Sequence, residues 1–252
     1  MKLSRKWLNE FVDVANVGDR DFAEAMTLSG SKVEITEVLN ESLQNVVAGR
    51  IVSMERHPDS DHMWICQVDA GREQPVQIVT GAWNVHVGDL VPVALHKSTL
   101  PGGKKIEKGK LRGVLSNGML CSGEELGLND DLFPGSEVYG LLILPEDSVP
   151  GTDIAPVVGL DDYIFDISIT ANRPDCQSVL GIAREVAAVL GKPLHMPAMD
   201  YKAVCEPDAP ITVKVEAPEL CPRYMAHYVR NIRMGESPRW MKRHLALCGL
   251  RS

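Results

Sequence analysis

The 252-residue chain is poor in aromatic side chains, 5% against 44% hydrophobic residues overall, so its core has to be built from Val, Leu, Ile, Ala and Met. No apolar run approaches the roughly 18–20 residues of a membrane-spanning helix; residues 139–144 are among the longest. The first ten residues turn polar too soon for a signal-peptide core. The six cysteines, Cys66, Cys121, Cys176, Cys205, Cys221 and Cys248, form no C-x-x-C pair and read as reduced, packed thiols. A cytoplasmic protein with no membrane contact is expected. There is also no excess of positive charge: Lys+Arg 26 stand against Asp+Glu 34, a formal net charge of -8.

Catalytic spacing is missing as well. The stretch from Gly103 to Gly109 has five residues between its glycines instead of the four of a phosphate loop, and Leu111 stands where a magnesium-binding Ser or Thr is needed. The segment from Gly113 to Gly118 is one residue too long for a nucleophile elbow around Ser116. His57, Asp59, Asp61 and His62 bunch four possible metal ligands, but a flexible His-Pro turn explains them equally well and the spacing fits no zinc template. No catalytic residue is predicted.

What is present is patterning. Residues 4–39 read as helix, helix, strand, with Ser4 capping the first helix, Asp19 or Asp21 the second, and Gly30 ending it. Short strands follow at 46–54, 63–70, 75–80, 90–95 and 118–121, separated by turn residues, which predicts a small barrel. A strand over 163–170 and a helix over 176–190, capped by Asp175 and stopped by Gly191, bring back the helical pattern. Neither 1–39 nor 152–192 holds enough apolar residues to fold alone. The predicted fold is therefore α+β and multidomain: a discontinuous domain from 1–39 and 152–192, a barrel over 40–151 inserted into it, and a Pro- and acid-rich linker over 193–210. Phe11 and Val186 are expected in one core. Strands at 211–215 and around 224–229, and a helix after Ser237 and Pro238 with Ser237 as its cap, leave 211–252 as the incomplete start of a further domain.

Charge then selects a function class. Residues 40–150 hold nine basic and 15 acidic side chains, against tight non-specific nucleic-acid binding. Within that block, however, Lys97, Lys104, Lys105, Lys108, Lys110 and Arg112 cluster and could follow a phosphate backbone, as on an oligonucleotide-binding barrel. Trp64 and Trp83 are expected to pack at the core or rim. Modest, salt-sensitive RNA binding follows.

Specific motifs sharpen this. His57-Pro-Asp-Ser-Asp-His-Met-Trp64 with its continuation to Gly71, Val79-Thr-Gly-Ala-Trp-Asn84, and residues 111–128 around Ser116-Asn-Gly-Met119 resemble the tRNA-binding OB-fold module. Residues 1–14, residues 166–185 around Asn172-Arg-Pro-Asp175, Cys221-Pro-Arg-Tyr224 and Ser237-Pro-Arg-Trp-Met241 extend the resemblance to the bacterial phenylalanyl-tRNA synthetase β-subunit family, over essentially the whole chain.

The resemblance implies an OB module inserted in a winged-helix-like domain, with the start of an editing domain after it. It implies a heterotetramer with the synthetase α subunit, ATP and Mg2+ used by the holoenzyme with none bound to this part, and tRNA(Phe) as the nucleic-acid partner. Editing of mischarged tyrosine would follow, since an apolar pocket rejects one extra hydroxyl only weakly. Ser116, Asn117 and Met119 match the module's characteristic loop, where Ser116 and Asn117 can offer hydrogen bonds to RNA and Met119 either contacts or packs. Trp83 departs from the family pattern of a small residue or Pro. The alternative is a free-standing, structure-specific tRNA-binding protein without catalysis.

Overall fold

The computed structural model describes residues 1–198, 200 and 210–251. They form two compact units, Met1–His195 with Pro238–Ser252, and Met196–Ser237. Most of the expected linker, residues 199 and 201–209 with Cys205, lies outside the described residues.

The first unit opens with β1 (Lys2–Ser4), α1 (Arg5–Asn9), α2 (Asp19–Leu28) and β2 (Lys32–Val38). Ser4 ends β1 and caps α1, its hydroxyl accepting from Trp7 N at 3.1 Å and donating to the buried Asp162 at 2.6 Å. The other Asp162 oxygen accepts from Lys6 N and Tyr163 N, so this buried carboxylate is fully hydrogen-bonded, as burial requires. Neither Asp19 nor Asp21 caps α2; Gly18 holds that position without a side-chain bond, and both acids sit in the first turn, where they favour the helix dipole.

A run of short strands follows: β3 (Gln44–Arg56), β4 (Trp64–Asp69), β5 (Val76–Thr80), β6 (Leu90–Leu100), β7 (Lys104–Ile106), β8 (Gly109–Leu111), β9 (Val114–Ser116) and β10 (Gly118–Leu120). The main sheet is ordered β10-β6-β3-β4-β5, with β7 also on β6. Thirteen-residue β3 serves two neighbours and is bent by register shifts at Ile51/Ser53 and Gln44/Val46. Gly49 sits at its crossing point, where a Cβ would lie 2.5 Å from Val93 and 2.9 Å from Val68. The sheet curls until its edges meet: Asn117 N donates to Gln77 O at 2.9 Å and Val79 N to the Ser116 hydroxyl at 3.0 Å. Curling covers the edges that would otherwise template aggregation. Ile51, Cys66, Val68, Ile78, Val91, Val93 and Leu120 fill one side, and Val46, Ala48, Leu100, Leu126, Phe133, Leu142 and Ile154 another.

Then come α3 (Ile154–Val158), β11 (Tyr163–Ser168), α4 (Val179–Leu190) and α5 (Arg239–Leu247). β11 is the middle of a second antiparallel sheet, β1-β11-β2. Its Phe165 and Ile167 are buried with Leu3, Leu8, Phe22, Met26, Ile182 and Val186, and Phe11 packs on the same cluster. Phe22 stacks on Phe165 with centroids 4.3 Å apart. Asp175 is not the cap of α4. It belongs to a 3-10 turn over Pro174–Gln177, and Ser178 caps the helix by accepting from Gly181 N at 3.0 Å. Arg173 takes Asp175 away, and its hydrogen bonds hold that carboxyl down at about 2.

The last block departs from expectation. Helix α5 packs in the first unit, with His244 stacked on Trp7 at 4.4 Å and Arg243 donating to the Gly159 carbonyl. Pro238 stands at its cap position with no side-chain bond, so Ser237 does not cap it. Among the described residues of Met196–Ser237 there is neither helix nor strand. The strands expected at 211–215 and around 224–229 therefore do not form: Ile211, Val213 and Val215 remain 42%, 45% and 37% exposed, because a strand needs a ladder partner and none of the described residues supplies one.

Candidate nucleic-acid interface

The six clustered cations lie on β6 and the three short strands after it. Lys97 occupies a left-handed kink in β6 (φ 67°) opposite another at Asn45 (φ 56°). The kink is locked by Asn45 Nδ2 donating to His96 O at 3.0 Å and by Ser98 Oγ to Asn45 O at 2.6 Å. Such a bulge re-aims the strand end and its lysine. Pro101, Gly102 and Gly103 then turn the chain into β7, which pairs back on β6.

β8 and β9 form a separate hairpin with Gly109 opposite Ser116 and Leu111 opposite Val114. Its two-residue turn is Arg112-Gly113, both at positive φ (44° and 87°), the geometry that matches strand twist. The hairpin is fastened on both sides. Gln77 Nε2 donates to Leu115 O at 2.7 Å, His57 Nε2 lies 3.0 Å from Leu111 O, and Arg112 Nη1 donates to Asp59 O at 2.8 Å. A fixed hairpin presents its charges without an ordering cost on binding.

Lys97, Lys104, Lys105, Lys108, Lys110 and Arg112 are all exposed. They are not equivalent. Lys104 is 3.0 Å from Glu125 and close to Met119 Sδ, and Arg112 uses one donor on the 57–61 loop. Lys97, Lys105, Lys108 and Lys110 make no ion pair among the described residues. Residues 97–112 carry six cations and one acid, Glu107, so the local field is positive despite the acidic chain.

The expectation for Ser116 is corrected. It is 4% exposed, with its hydroxyl accepting from Val79 N and donating to Gly118 O at 2.9 Å, so it closes the sheet and has nothing left for RNA. Asn117 is half-buried beside it. Met119 is half-buried and packs on the core. Trp83 is not in the core: it lies at the rim, 69% exposed, with Nε1 donating to Tyr139 O.

Two contributors are not evident from the basic cluster. Arg56 lies 3.8 Å over the ring of Trp64, directly opposite in the β3–β4 register, and its Nη1 donates to Asp61 O at 2.9 Å. The pairing of Arg and Trp on flanks of one loop was the available signal. His57 is buried, and its ring is spent on Asp59 N and Leu111 O. Among the described residues no three His, Cys, Asp or Glu side chains gather. Burial pushes the Cys66 thiol up to about 11 and Cys121 up to about 12, so neither is a nucleophile near neutral pH.

A positive, pre-formed hairpin on a curled sheet suits a phosphate backbone. The family model described as "Putative tRNA binding domain" matches residues 46–153. The phenylalanine–tRNA ligase beta subunit of Clostridium tetani is 47% identical over 253 residues, covering 100% of this chain and 31% of that protein. Over its whole length the chain matches the N-terminal part of phenylalanine–tRNA ligase beta subunits. The Clostridium acetobutylicum beta subunit is 46% identical over 252 residues, with the same shares covered. The chain thus spans about 31% of the length of these curated relatives. Among solved structures, the C-terminal domain of Plasmodium vivax p43 is similar at a TM-score of 0.31 and 21% identity, covering 44% of this chain and 59% of that one; at that score it decides nothing about the fold. No helix among the described residues is long and apolar enough to cross a membrane.

Proposed function

We propose that this chain is the tRNA-contacting and scaffolding portion of a cytoplasmic phenylalanine–tRNA ligase, acting with an α subunit in a heterotetramer that charges tRNA(Phe). The observation that carries the reading is identity of 41–47% running across residues 1–252, well outside the matched tRNA-binding stretch at 46–153. A free-standing tRNA-binding factor would need only that stretch. Residues 40–151 act as an OB-type module inserted between 1–39 and 152–192. Support comes from the cores: the buried cluster around Phe165 draws on residues up to Met26 and from Phe165 onward, and the other two draw on residues between, although Ile154, Ala155, Val158 and Leu160 pack with the barrel residues and not with Phe165. Among the described residues no three His, Cys, Asp or Glu side chains gather to hold Mg2+, and the sequence carries no phosphate loop for ATP, so no step is derived through either.

Lys97, Lys105, Lys108, Lys110 and Arg112 take phosphates, with Asn117 at the edge; Lys104 contributes less because Glu125 holds it. Each phosphate neutralised adds about 0.7–0.9 to the slope of log affinity against log salt. In a complex reconstituted from full-length β and α chains, Lys105→Glu, Lys108→Glu and Lys110→Glu together are expected to flatten the tRNA salt slope by about 2 and raise KM for tRNA. Phenylalanine-dependent pyrophosphate exchange stays unchanged. An unchanged slope would remove the lysines from the interface. Failure of the reconstituted pair to aminoacylate at all would remove the synthetase reading.

A further inference from the structure

The same barrel carries a second, oppositely charged feature. A cleft of about 560 Å³ lies between the turn at 81–83 and the loop at 122–140, bordered by Trp83, Glu124, Glu125, Glu137 and Tyr139. Residues 122–140 contain five carboxylates and no Lys, Arg or His. Trp83 and Tyr139 are left 69% and 90% exposed, the latter the more open of the two rings.

The walls are built rather than loose. Trp83 Nε1 donates to Tyr139 O at 2.7 Å, pinning the indole at the rim. The Asn84 side chain bonds Leu141 N and O, both at 2.9 Å, and Gly140 lies so close that a Cβ would fall 2.3 Å from Asn84 Oδ1. Gly123 likewise has no room for a side chain against Ser136, at 2.4 Å. Glu125 is turned to Lys104 and to Ser122 N, and Glu137 accepts from Asp130 N at 3.4 Å, so Glu124 and Glu137 line the cleft without an ion pair among the described residues.

We infer that this cleft is a docking site for an arginine-bearing basic segment of a protein partner. Flat aromatic faces beside carboxylates match a guanidinium, which stacks and pairs in one plane, better than a compact ammonium. The loop already receives one guanidinium of this chain, Arg239 over Phe133 at 4.6 Å. Five carboxylates repel a phosphate backbone, so the cleft and the basic hairpin sort partners of opposite charge on one barrel.

The test is a titration of the 252-residue chain with a (Gly-Arg)6 peptide, its Lys and Glu counterparts and a tRNA, followed by the ¹⁵N-indole resonances of Trp7, Trp64, Trp83 and Trp240. The Arg peptide is expected to move Trp83 alone, the Lys peptide to bind more weakly and the Glu peptide not to bind. Trp83→Ala, or Glu124→Lys with Glu137→Lys, lowers Arg-peptide affinity about tenfold, while Trp83→Phe keeps most of it. Unmoved Trp7 and Trp64 resonances report that each variant is folded. A still Trp83, equal affinity across the variants, or displacement of Trp83 by tRNA would each overturn the assignment.

Discussion

Replacing Ser116 by Ala separates closing the sheet from touching RNA. The change keeps the Cβ and removes only the hydroxyl, which bridges Val79 N at 3.0 Å and Gly118 O at 2.9 Å across the seam of the curled sheet. Ser116 and Val79 are 4% and 6% exposed, so water does not readily replace it. Leaving a buried donor unpaired costs about 1–3 kcal/mol, and the Gly118 carbonyl adds to that, for a total near about 3 kcal/mol. At about 1.4 kcal/mol per decade this is roughly a hundredfold rise in the opening equilibrium of the seam. Native-state amide exchange at Val79 and Asn117 reads that opening directly, and a lower urea midpoint reads its share of overall stability. Affinity of the folded chain for tRNA is expected to change less than about twofold, because the hydroxyl is spent inside. A tenfold loss of tRNA affinity with exchange at Val79 unchanged would refute the reasoning and return Ser116 to the RNA surface.

Gly118→Ala attacks the same seam sterically: its Cβ would lie 2.4 Å from the Ala94 carbonyl oxygen, a backbone atom that cannot step aside, so a loss of about 3 kcal/mol is expected in urea unfolding. Gly113→Asn, in the open hairpin turn where Asn tolerates positive φ, serves as the mild comparison and should cost under about 1 kcal/mol. His244 gives a pH signature. Burial between Trp7 and Trp240 lowers its pKa below the usual 6.5 and Arg243 adds to this, while Glu10 and Asp162 oppose it; its Nδ1 has no hydrogen-bond partner among the described residues. As pH falls below about 6.5 the unfolded chain takes up a proton that the folded one resists, so docking of α5 weakens on the acid side and is complete above it. A histidine titration midpoint at or above 6.5, or His244→Phe retaining the acid loss in amide exchange of α5, would contradict this.

Short apolar runs bounded by turn residues announce themselves, which is why β3, β4, β5, β6 and β10 were legible. β7, β8 and β9 were not: each is only three residues long and is held by pairing with β6 or by Gln77 and His57, partners distant in sequence. What the cluster gave away was charge. Which lysine is free depended on Glu125, 21 residues beyond Lys104. Ser116 reads as an available hydroxyl in any sequence, and only burial removes it. The cap of α4 was read as Asp175, and Arg173 overturned that by claiming the carboxylate and leaving the position to Ser178. Residues 211–215 alternate correctly, but periodicity speaks of faces and not of neighbours.

Leu39 N donates to Asp162 O at 3.1 Å, immediately beyond the rung that joins Val38 to Tyr163. The chain therefore leaves the β1-β11-β2 sheet and returns to it one hydrogen bond apart, so both ends of the long stretch between are anchored by the same rungs and one local break there would loosen both at once.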